Sequence, residues 1–370
     1  MAITAAMVKE LREMTGAGMM DCKKALTETD GDMNKAVDYL KEKGLAKAAK
    51  KAGRIAAEGI VATNVSEDGK VASIVEVNSE TDFVAKNEVF RSYVANVAAQ
   101  AATTNAANIE EFLDEAWALE PTKTVKEELA SQIAVIGENM NIRRFNKVTT
   151  DGLVVSYIHA GGKIGVLVEA DTDSASDEVK ECLKNVAMQV AALNPEYATR
   201  DDISAEELDK IKVTTIESAL NDPFSLPKPI LDKLIAKAVN DKVWSDEDIA
   251  VYEEKKDNMK YLPNFLSEAA KPALAGLAIA DKDEILANKI FAGLVDGRFA
   301  KQLKEICLLD QVYVKAEDGK QSVAQYVAGV AKATGANISI KKYVRYETGE
   351  GLEKKEEDFA AEVAKQMAGN

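Results

Sequence analysis

Apolar residues are spaced as in strands between residues 60 and 77 and as in a helix after residue 80. Residues 60–65 and 71–77 are rich in β-branched side chains and flank the turn Ser66-Glu67-Asp68-Gly69, which predicts a β-hairpin. After the hairpin, apolar positions recur at helical spacing through about residue 102, beginning at Phe83 and continuing at Phe90. The run TDFVAKN at 81–87 therefore lies where a strand ends and a helix begins.

A second hairpin followed by a helix is predicted further along the chain. Residues 153–159 and 164–170 alternate like strands, and residues 178–193 carry apolar side chains at helical spacing. The tetrapeptides VEVN at 75–78 and VEAD at 168–171 occupy matching places before the two helices. This similarity indicates two related subdomains, although four residues are weak grounds for a duplication.

Other segments are predicted to be mostly helical. Helices are expected at 5–15, 19–29 and 33–43, with Gly44 ending the third, and further helices are expected at 109–117, 125–135, 228–239 and 263–270. Strands are expected at 308–314 and 338–346, and an amphipathic helix is expected at 358–367. The basic stretch KAAKKAGR at 47–54 reads as a solvated helical linker, with RNA contact as the alternative.

Composition narrows the class of protein. A chain of 370 residues predicts two or three domains, and 46% hydrophobic but only 6% aromatic residues favour a helix-rich α+β fold. A net charge of −15 disfavours bulk nucleic-acid binding. Three widely spaced cysteines, no secretory signal pattern and no long apolar run lead us to expect a cytoplasmic protein without membrane contact.

The side chains that catalysis would need are not grouped in the sequence. The single histidine, His159, cannot form a histidine metal cluster, and no glycine-rich loop ends in Gly-Lys-Ser/Thr. Paired carboxylates lie in surface-like charge runs. We therefore expect no enzyme activity, no metal, no cofactor and no direct nucleotide binding.

Several motifs together resemble one family. TDFVAKN closely resembles the signature of elongation factor Ts, the guanine-nucleotide exchange factor of elongation factor Tu. The runs VKELR at 8–12, TGAGMMDCKKAL at 15–26, IGENMNIRR at 136–144 and SYIH at 156–159 resemble further parts of that family. The resemblance covers residues 3–210 and 281–367, while residues 223–280 enlarge the helical hairpin that the family has there.

The resemblance implies a domain organisation. Residues 1–54 would form a three-helix module similar to ubiquitin-associated domains, with the basic linker. Residues 55–142 and 143–345 would form two core subdomains, the second with a helical insertion at about 205–295, and residues 346–370 a C-terminal module. We expect the enlarged segment to be an appendage that mediates self-association or contact with another translation component; alternatively, its apolar faces complete the core of the second subdomain.

The resemblance also implies roles for individual residues. Phe83 would wedge between helices of elongation factor Tu near its Mg²⁺, and Asp82 would disturb the groups that position the ion, with Thr81 and Val84 in the same motif. Contacts with the GTPase, in its GDP-bound and nucleotide-free forms, are implied for a separate set: Arg12, Met19, Met20, Ile136, Gly137, Glu138, Asn139 and His159.

Pattern alone permits simpler interpretations. An aromatic residue in phase with Phe90 is usually a core residue, and an acid at a helix start is usually a cap. Met19 and Met20 could equally fill the small core of the first module. The alternative function is an RNA-associated scaffold or another translation-associated protein without exchange activity.

Overall fold

The computed structural model describes residues 3–353, and the expected C-terminal helix at 358–367 lies outside these residues. The described part contains both helices and strands and has the expected α+β character. The helices are α1 (Ala5–Thr15), α2 (Met19–Glu28), α3 (Met33–Lys51), α4 (Asp82–Lys86), α5 (Glu88–Thr103), α6 (Ile109–Asp114), α7 (Val125–Ile136), α8 (Asp177–Leu193), α9 (Ala205–Asn221), α10 (Lys228–Asn240), α11 (Asp246–Lys255), α12 (Ala270–Ala280), α13 (Lys282–Leu286), α14 (Lys289–Ile306) and α15 (Val323–Thr334). The strands are β1 (Glu58–Val65), β2 (Val71–Ser79), β3 (Ala116–Trp117), β4 (Glu120–Thr124), β5 (Met140–Thr149), β6 (Leu153–His159), β7 (Ile164–Thr172) and β8 (Ile338–Glu347).

Two compact units divide the chain. Of the described residues, one unit contains 3–194, 313–315 and 324–353, and the other contains 195–312 and 316–323. The first unit holds the N-terminal helices and every strand found within residues 3–353. The second is helical, and it contains the enlarged segment.

The three N-terminal helices enclose a small apolar core. Thr4 and Asp32 cap α1 and α3 through their side chains, and Leu11, Cys22 and Leu26 are fully buried between the helices. The expectation that Gly44 ends the third helix is wrong, because α3 continues to Lys51. Gly44 is instead buried, and a Cβ built on it would lie 3.7 Å from the Ala130 carbonyl oxygen of α7. The basic stretch thus begins inside a packed helix.

Two three-stranded antiparallel sheets form the centre of the first unit, in the orders β1-β2-β5 and β6-β7-β8. Val61, Ile74 and Leu167 belong to the apolar cluster packed between them. The opposite face of the first sheet is covered by α5 and α7, which bury Phe90, Val94 and other apolar side chains. The two predicted hairpins are confirmed.

The two sheets also share an irregularity. The pairing of β2 with β5 shifts between Glu76 and Val77, and the pairing of β7 with β8 shifts between Glu169 and Ala170. Each glutamate is buried, and each pairs with basic side chains of the neighbouring strand. This common geometry gives the VEVN and VEAD similarity a structural basis.

Glu76 is fully buried and holds two strands and the segment after β8 together. Its carboxylate accepts hydrogen bonds from Arg143 at 3.1 Å, Arg144 at 2.6 Å and the Gly349 backbone N–H at 2.8 Å. Gly349 has φ +72°, and a Cβ there would lie 2.2 Å from the Ala57 carbonyl oxygen. Only glycine therefore lets the chain come close enough to donate to Glu76.

The helical unit has an apolar core of its own. Leu220 of α9, Leu234 and Ile235 of α10, Leu274 of α12 and Phe291 of α14 are buried in one cluster. Hydrogen bonds from two side chains hold its loops in place. The Trp244 indole donates to the Ala270 carbonyl at 2.9 Å, and the Asp248 carboxylate accepts from the Ser267 N–H at 2.7 Å. The enlarged segment thus packs against α9 and α14 rather than protruding from them.

Four expectations need correction. A strand at 308–314 is wrong: Leu308–Asp310 forms a 3₁₀ turn, because the Asp310 and Gln311 N–H groups donate to the carbonyls of Cys307 and Leu308. Residues 263–270 are not a helix, since a 3₁₀ turn spans Leu262–Asn264 and α12 begins only at Ala270. The helix expected at 109–117 ends at Asp114. The boundary expected at residue 142 falls inside β5, which pairs along its length with β2.

Replacement Glu76→Gln tests the role of the buried carboxylate. The change removes the carboxylate partner of Arg143 and leaves Arg144 with Glu350 alone, so we expect the free energy of unfolding to fall by about 3 kcal/mol. Urea unfolding followed by circular dichroism measures this change. The control Glu67→Gln alters an exposed turn residue and should have little effect; equal midpoints for the two variants would contradict the assignment.

Candidate functional site

The TDFVAKN run folds as a single short helix rather than as the start of a long one. Thr81 is the N-cap of α4, and Asp82 lies in its first turn. Asn87 then leaves helical geometry, with φ −70° and ψ 132°, and its side chain accepts hydrogen bonds from the N–H groups of Val89 and Phe90. Asn87 therefore ends α4 and starts α5.

The break at Asn87 decides which side of α4 is buried. Val84 and Ala85 face the core, whereas the Phe83 side chain is 79% exposed. The interpretation of Phe83 as a core residue in phase with Phe90 is therefore wrong, because the two residues belong to different helices. An apolar ring this exposed is available to another molecule.

Asp82 and Lys86 form an ion pair on the exposed side of α4. The Lys86 ammonium lies 2.6 Å from the Asp82 carboxylate and 5.9 Å from the centroid of the Phe83 ring. The hydrogen bond from Lys86 lowers the pKa of Asp82 below its ordinary value. Asp82 is accordingly ionised at neutral pH and lies next to the exposed ring.

Glu138 connects α4 to the loop that follows α7. One carboxylate oxygen accepts from the Thr81 N–H at 3.0 Å, and the other accepts from the Thr81 hydroxyl at 2.7 Å. Gly137, with φ +91°, caps the end of α7 and turns the chain so that Glu138 can reach Thr81. The motifs at 81–84 and 136–139, distant in sequence, therefore form one structure.

A second set of contacts secures the same loop. The Glu80 carboxylate accepts from the Asn139 N–H at 2.5 Å, and the Asn139 side chain donates to the Arg54 carbonyl at 2.8 Å. Asn139 is only 8% exposed, and Ile136 packs against the core of the first sheet. Glu138 and Asn139 thus have internal partners that sequence reasoning did not find.

His159 lies at the exposed end of β6. Its Nδ1 is 2.9 Å from the Tyr157 hydroxyl, and the turn that follows it contains Gly161. Arg91 donates to the carbonyls of both Gly161 and Ala85, at 3.0 and 3.3 Å. Arg91, which sequence reasoning missed, therefore joins this turn to α4; its position one helical turn after Asn87 was the available signal.

The N-terminal module presents the other predicted contact residues. Met19 is 58% exposed and Met20 is 75% exposed at the start of α2, and Arg12 is exposed on α1. The apolar core of the module contains neither methionine. The interpretation of this methionine pair as core residues is therefore wrong.

Within residues 3–353, no cluster of three or more His, Cys, Asp or Glu side chains has an arrangement that could hold a metal ion. The same part of the chain contains no helix with the length and apolar character needed to cross a membrane. What the site offers is an exposed aromatic ring, an ionised carboxylate and exposed methionines on well-connected backbone.

Known proteins resemble this chain along nearly all of its length. The family model described as Elongation factor TS matches residues 80–350. The elongation factor Ts of Clostridioides difficile (strain 630) is 46% identical over 365 residues, and that of Clostridium novyi (strain NT) is 44% identical over 366 residues, with 99% of both chains covered in each case. That of Clostridium perfringens (strain 13 / Type A) is 46% identical over 364 residues, with 98% of both chains covered.

These similarities define the class first: the chain is a translation elongation factor. Since the model matches more than half of the chain and the relatives align along nearly all of it, the chain belongs to the elongation factor Ts family. The alignments extend through residues 223–280, so these relatives have a segment of similar length there.

Replacement Lys86→Ala tests the electrostatics of α4. Removing the ammonium group removes the main cause of the lowered pKa, so the pKa of Asp82 should rise toward its ordinary value. Carboxyl ¹³C NMR titration measures this pKa. The control Lys163→Ala removes a weaker, longer-range influence and should raise the pKa less; a larger rise in the control would refute the role of Lys86.

Proposed function

We propose that this chain promotes exchange of GDP for GTP on elongation factor Tu by displacing Mg²⁺ and loosening the phosphate site. The observation that carries the proposal is the exposure of Phe83 beside ionised Asp82 on a short helix held at both ends. An apolar ring exposed to this extent on firmly connected backbone is suited to insertion into another protein. The carboxylate beside it brings negative charge to the same place.

The mechanism follows from how a GTPase holds its nucleotide. Backbone amides and a shared Mg²⁺ bind the phosphates, so disturbing the coordination of the ion weakens the grip on them. Phe83 separates elements of the partner near the ion, and Asp82 perturbs the groups and waters around it. Because binding energies are linked, a factor that prefers the nucleotide-free form lowers nucleotide affinity to the same degree.

One wedge does not supply enough energy. A thousandfold weakening of nucleotide binding needs about 4 kcal/mol of coupling, whereas burying one Phe supplies about 1.5–3 kcal/mol. The remainder comes from an extended interface with elongation factor Tu. We assign to it Arg12, Met19 and Met20 of the N-terminal module, Gly137, which is the exposed residue of the loop at 136–139, and His159.

The contacts of the basic stretch favour exchange over the RNA scaffold. Lys47 pairs with Asp21 at 3.0 Å, the Lys51 ammonium donates to the Gly137 carbonyl, and Arg54 pairs with Glu80 at 3.4 Å. These cations are engaged in holding the first unit together. The chain acts in this proposal as a binding protein without chemistry of its own, in the cytoplasm where translation takes place.

The enlarged segment is assigned a separate role. Tyr261 and Phe265 are about half exposed in the loop between α11 and α12. We propose self-association through this segment, which leaves α4 and the methionine pair free for elongation factor Tu.

Release of labelled GDP from elongation factor Tu of the same organism tests the proposed function. The chain should accelerate release when present in amounts far below those of the GTPase, since each molecule acts repeatedly. An unchanged release rate at every concentration would refute the exchange function and favour the scaffold.

The double replacement Asp82→Ala with Phe83→Ala tests the wedge. We expect the GDP-release rate to fall sharply while the free energy of unfolding changes by less than about 1 kcal/mol, because both side chains are exposed. Stopped-flow fluorescence and thermal unfolding measure the two quantities. The control Val89→Ala removes another exposed apolar side chain near α4 and should preserve exchange; a double variant that loses stability but keeps its exchange rate would contradict the wedge.

Replacing Met19 and Met20 with Ala separates affinity from exchange. The pair lies on the N-terminal module, so its loss should weaken complex formation while the rate at saturation stays near that of the wild type. Titration calorimetry and saturation kinetics measure the two effects. Met14→Ala, also an exposed methionine, is the control; a lower saturating rate at unchanged affinity would overturn this division of roles.

A further inference from the structure

The loop containing Glu138 has a counterpart in the second sheet. Gly137-Glu138-Asn139 precedes β5 and Gly335-Ala336-Asn337 precedes β8, with φ +91° and +72° at the two glycines. In each loop the asparagine N–H donates to an acidic side chain that directly follows the central strand. The donor–acceptor pairs are Asn139 with Glu80, at 2.5 Å, and Asn337 with Asp173, at 2.9 Å.

The two copies differ at one loop position and in one helix. Ala336 occupies the position of Glu138 and has no carboxylate to offer. After β2, the helix α4 occupies part of residues 80–87, whereas residues 173–176 lead from β7 to α8 without a helical turn. The copy with the glutamate is therefore the copy with the extra helix.

A helix as short as α4 needs external support. Five residues form too few internal hydrogen bonds to offset the cost of nucleation. Burial of Val84 and Ala85 fixes one side of α4, and Glu138 binds both donors of Thr81 at its start. The Thr81 hydroxyl oxygen in turn accepts from the Val84 N–H at 3.4 Å, so a chain of hydrogen bonds runs from the loop into the helix.

We propose that Glu138 is a positioning residue for nucleotide exchange, acting through Thr81 to hold α4 in the orientation that presents Phe83 and Asp82. The inference rests on the proposed exchange function and deepens it. It assigns Glu138 an intramolecular role in place of direct contact with the partner. The pair Glu138 and Thr81 then acts as one unit.

This role has a distinct kinetic consequence. Affinity for the partner is distributed over several surfaces, whereas exchange depends on where Phe83 and Asp82 are placed. Without the hydrogen bonds from Thr81 to Glu138, α4 samples other orientations. The free-energy cost of ordering α4 is then incurred during exchange. The saturating rate should fall by about tenfold, with affinity changed by less than about threefold.

The experiment uses the full chain with four variants: Glu138→Ala, which copies the second loop, Glu138→Gln, Thr81→Val and the double variant Glu138→Ala with Thr81→Val. GDP release gives the saturating rate and the half-saturating concentration. Amide hydrogen exchange of residues 82–86 reports opening of α4 independently of activity. Glu88→Ala removes the same charge from an exposed position near α4 and is the matched control.

We expect Glu138→Ala to lower the saturating rate more than Thr81→Val, which keeps the Thr81 N–H as a donor to Glu138. The double variant should be slowed by less than the product of the two single effects. Amides of α4 should exchange faster in all three, and Glu138→Gln, which keeps an acceptor for Thr81, should recover part of the rate. A loss of affinity at an unchanged saturating rate would overturn the proposal, as would additive effects of the two positions. Absence of exchange by the wild-type chain would instead refute the proposed function itself.

Discussion

The first unit depends on a carboxylate that has no access to water. Glu76 is surrounded by donors from β5 and from the turn after β8, so both sheets contribute chain segments that meet at one negative charge. Removing its arginine partners would leave buried charge uncompensated, which costs far more than an ordinary surface contact. The sheets are therefore held in one relation, and α4 and the loop at 136–139 emerge from strands whose positions are fixed.

The candidate site combines rigid backbone with exposed side chains. Thr81, Glu138 and Asn139 are used internally, whereas Phe83, Met19 and Met20 point outward. A free apolar side chain is a cost to the isolated protein, which binding recovers when the side chain is buried. This division separates residues that shape the surface from residues that touch a partner.

The spacing of apolar residues and the residue types at turns and helix ends predicted much of the fold. Both hairpins, α1, α7 and α8 follow from alternation, caps and glycine stops that act over a few residues. The break at Asn87 was missed because apolar spacing continues almost in phase across it, and only its extended backbone shows that the side chain restarts a helix. The prediction that Gly44 ends α3 was wrong for a similar reason, since glycine ends helices but also permits close packing of helices.

The sequence suggested which residues to group as a candidate site but not which contacts they make within the chain. Resemblance brought Thr81 and Glu138 into one set, yet spacing in the sequence cannot show that a carboxylate 57 residues away binds the cap of a helix. Long-range pairing of this kind depends on the sheets being assembled. Arg91 was missed because its position one helical turn after Asn87 does not show that its side chain reaches Gly161, 70 residues away.

The length of α3 sets the distance and the direction between the N-terminal module and the rest of the first unit. It is one continuous helix that begins in the N-terminal module and continues along α7 to Lys51. Each residue of an α-helix advances the chain by about 1.5 Å and turns it by about 100°. An insertion of one residue in α3 would therefore swing Met19 and Met20 around the helix axis relative to Phe83, whereas a change of whole turns would keep them on the same side. The number of residues in this helix therefore matters to the arrangement of the exposed side chains as much as the side chains that it carries.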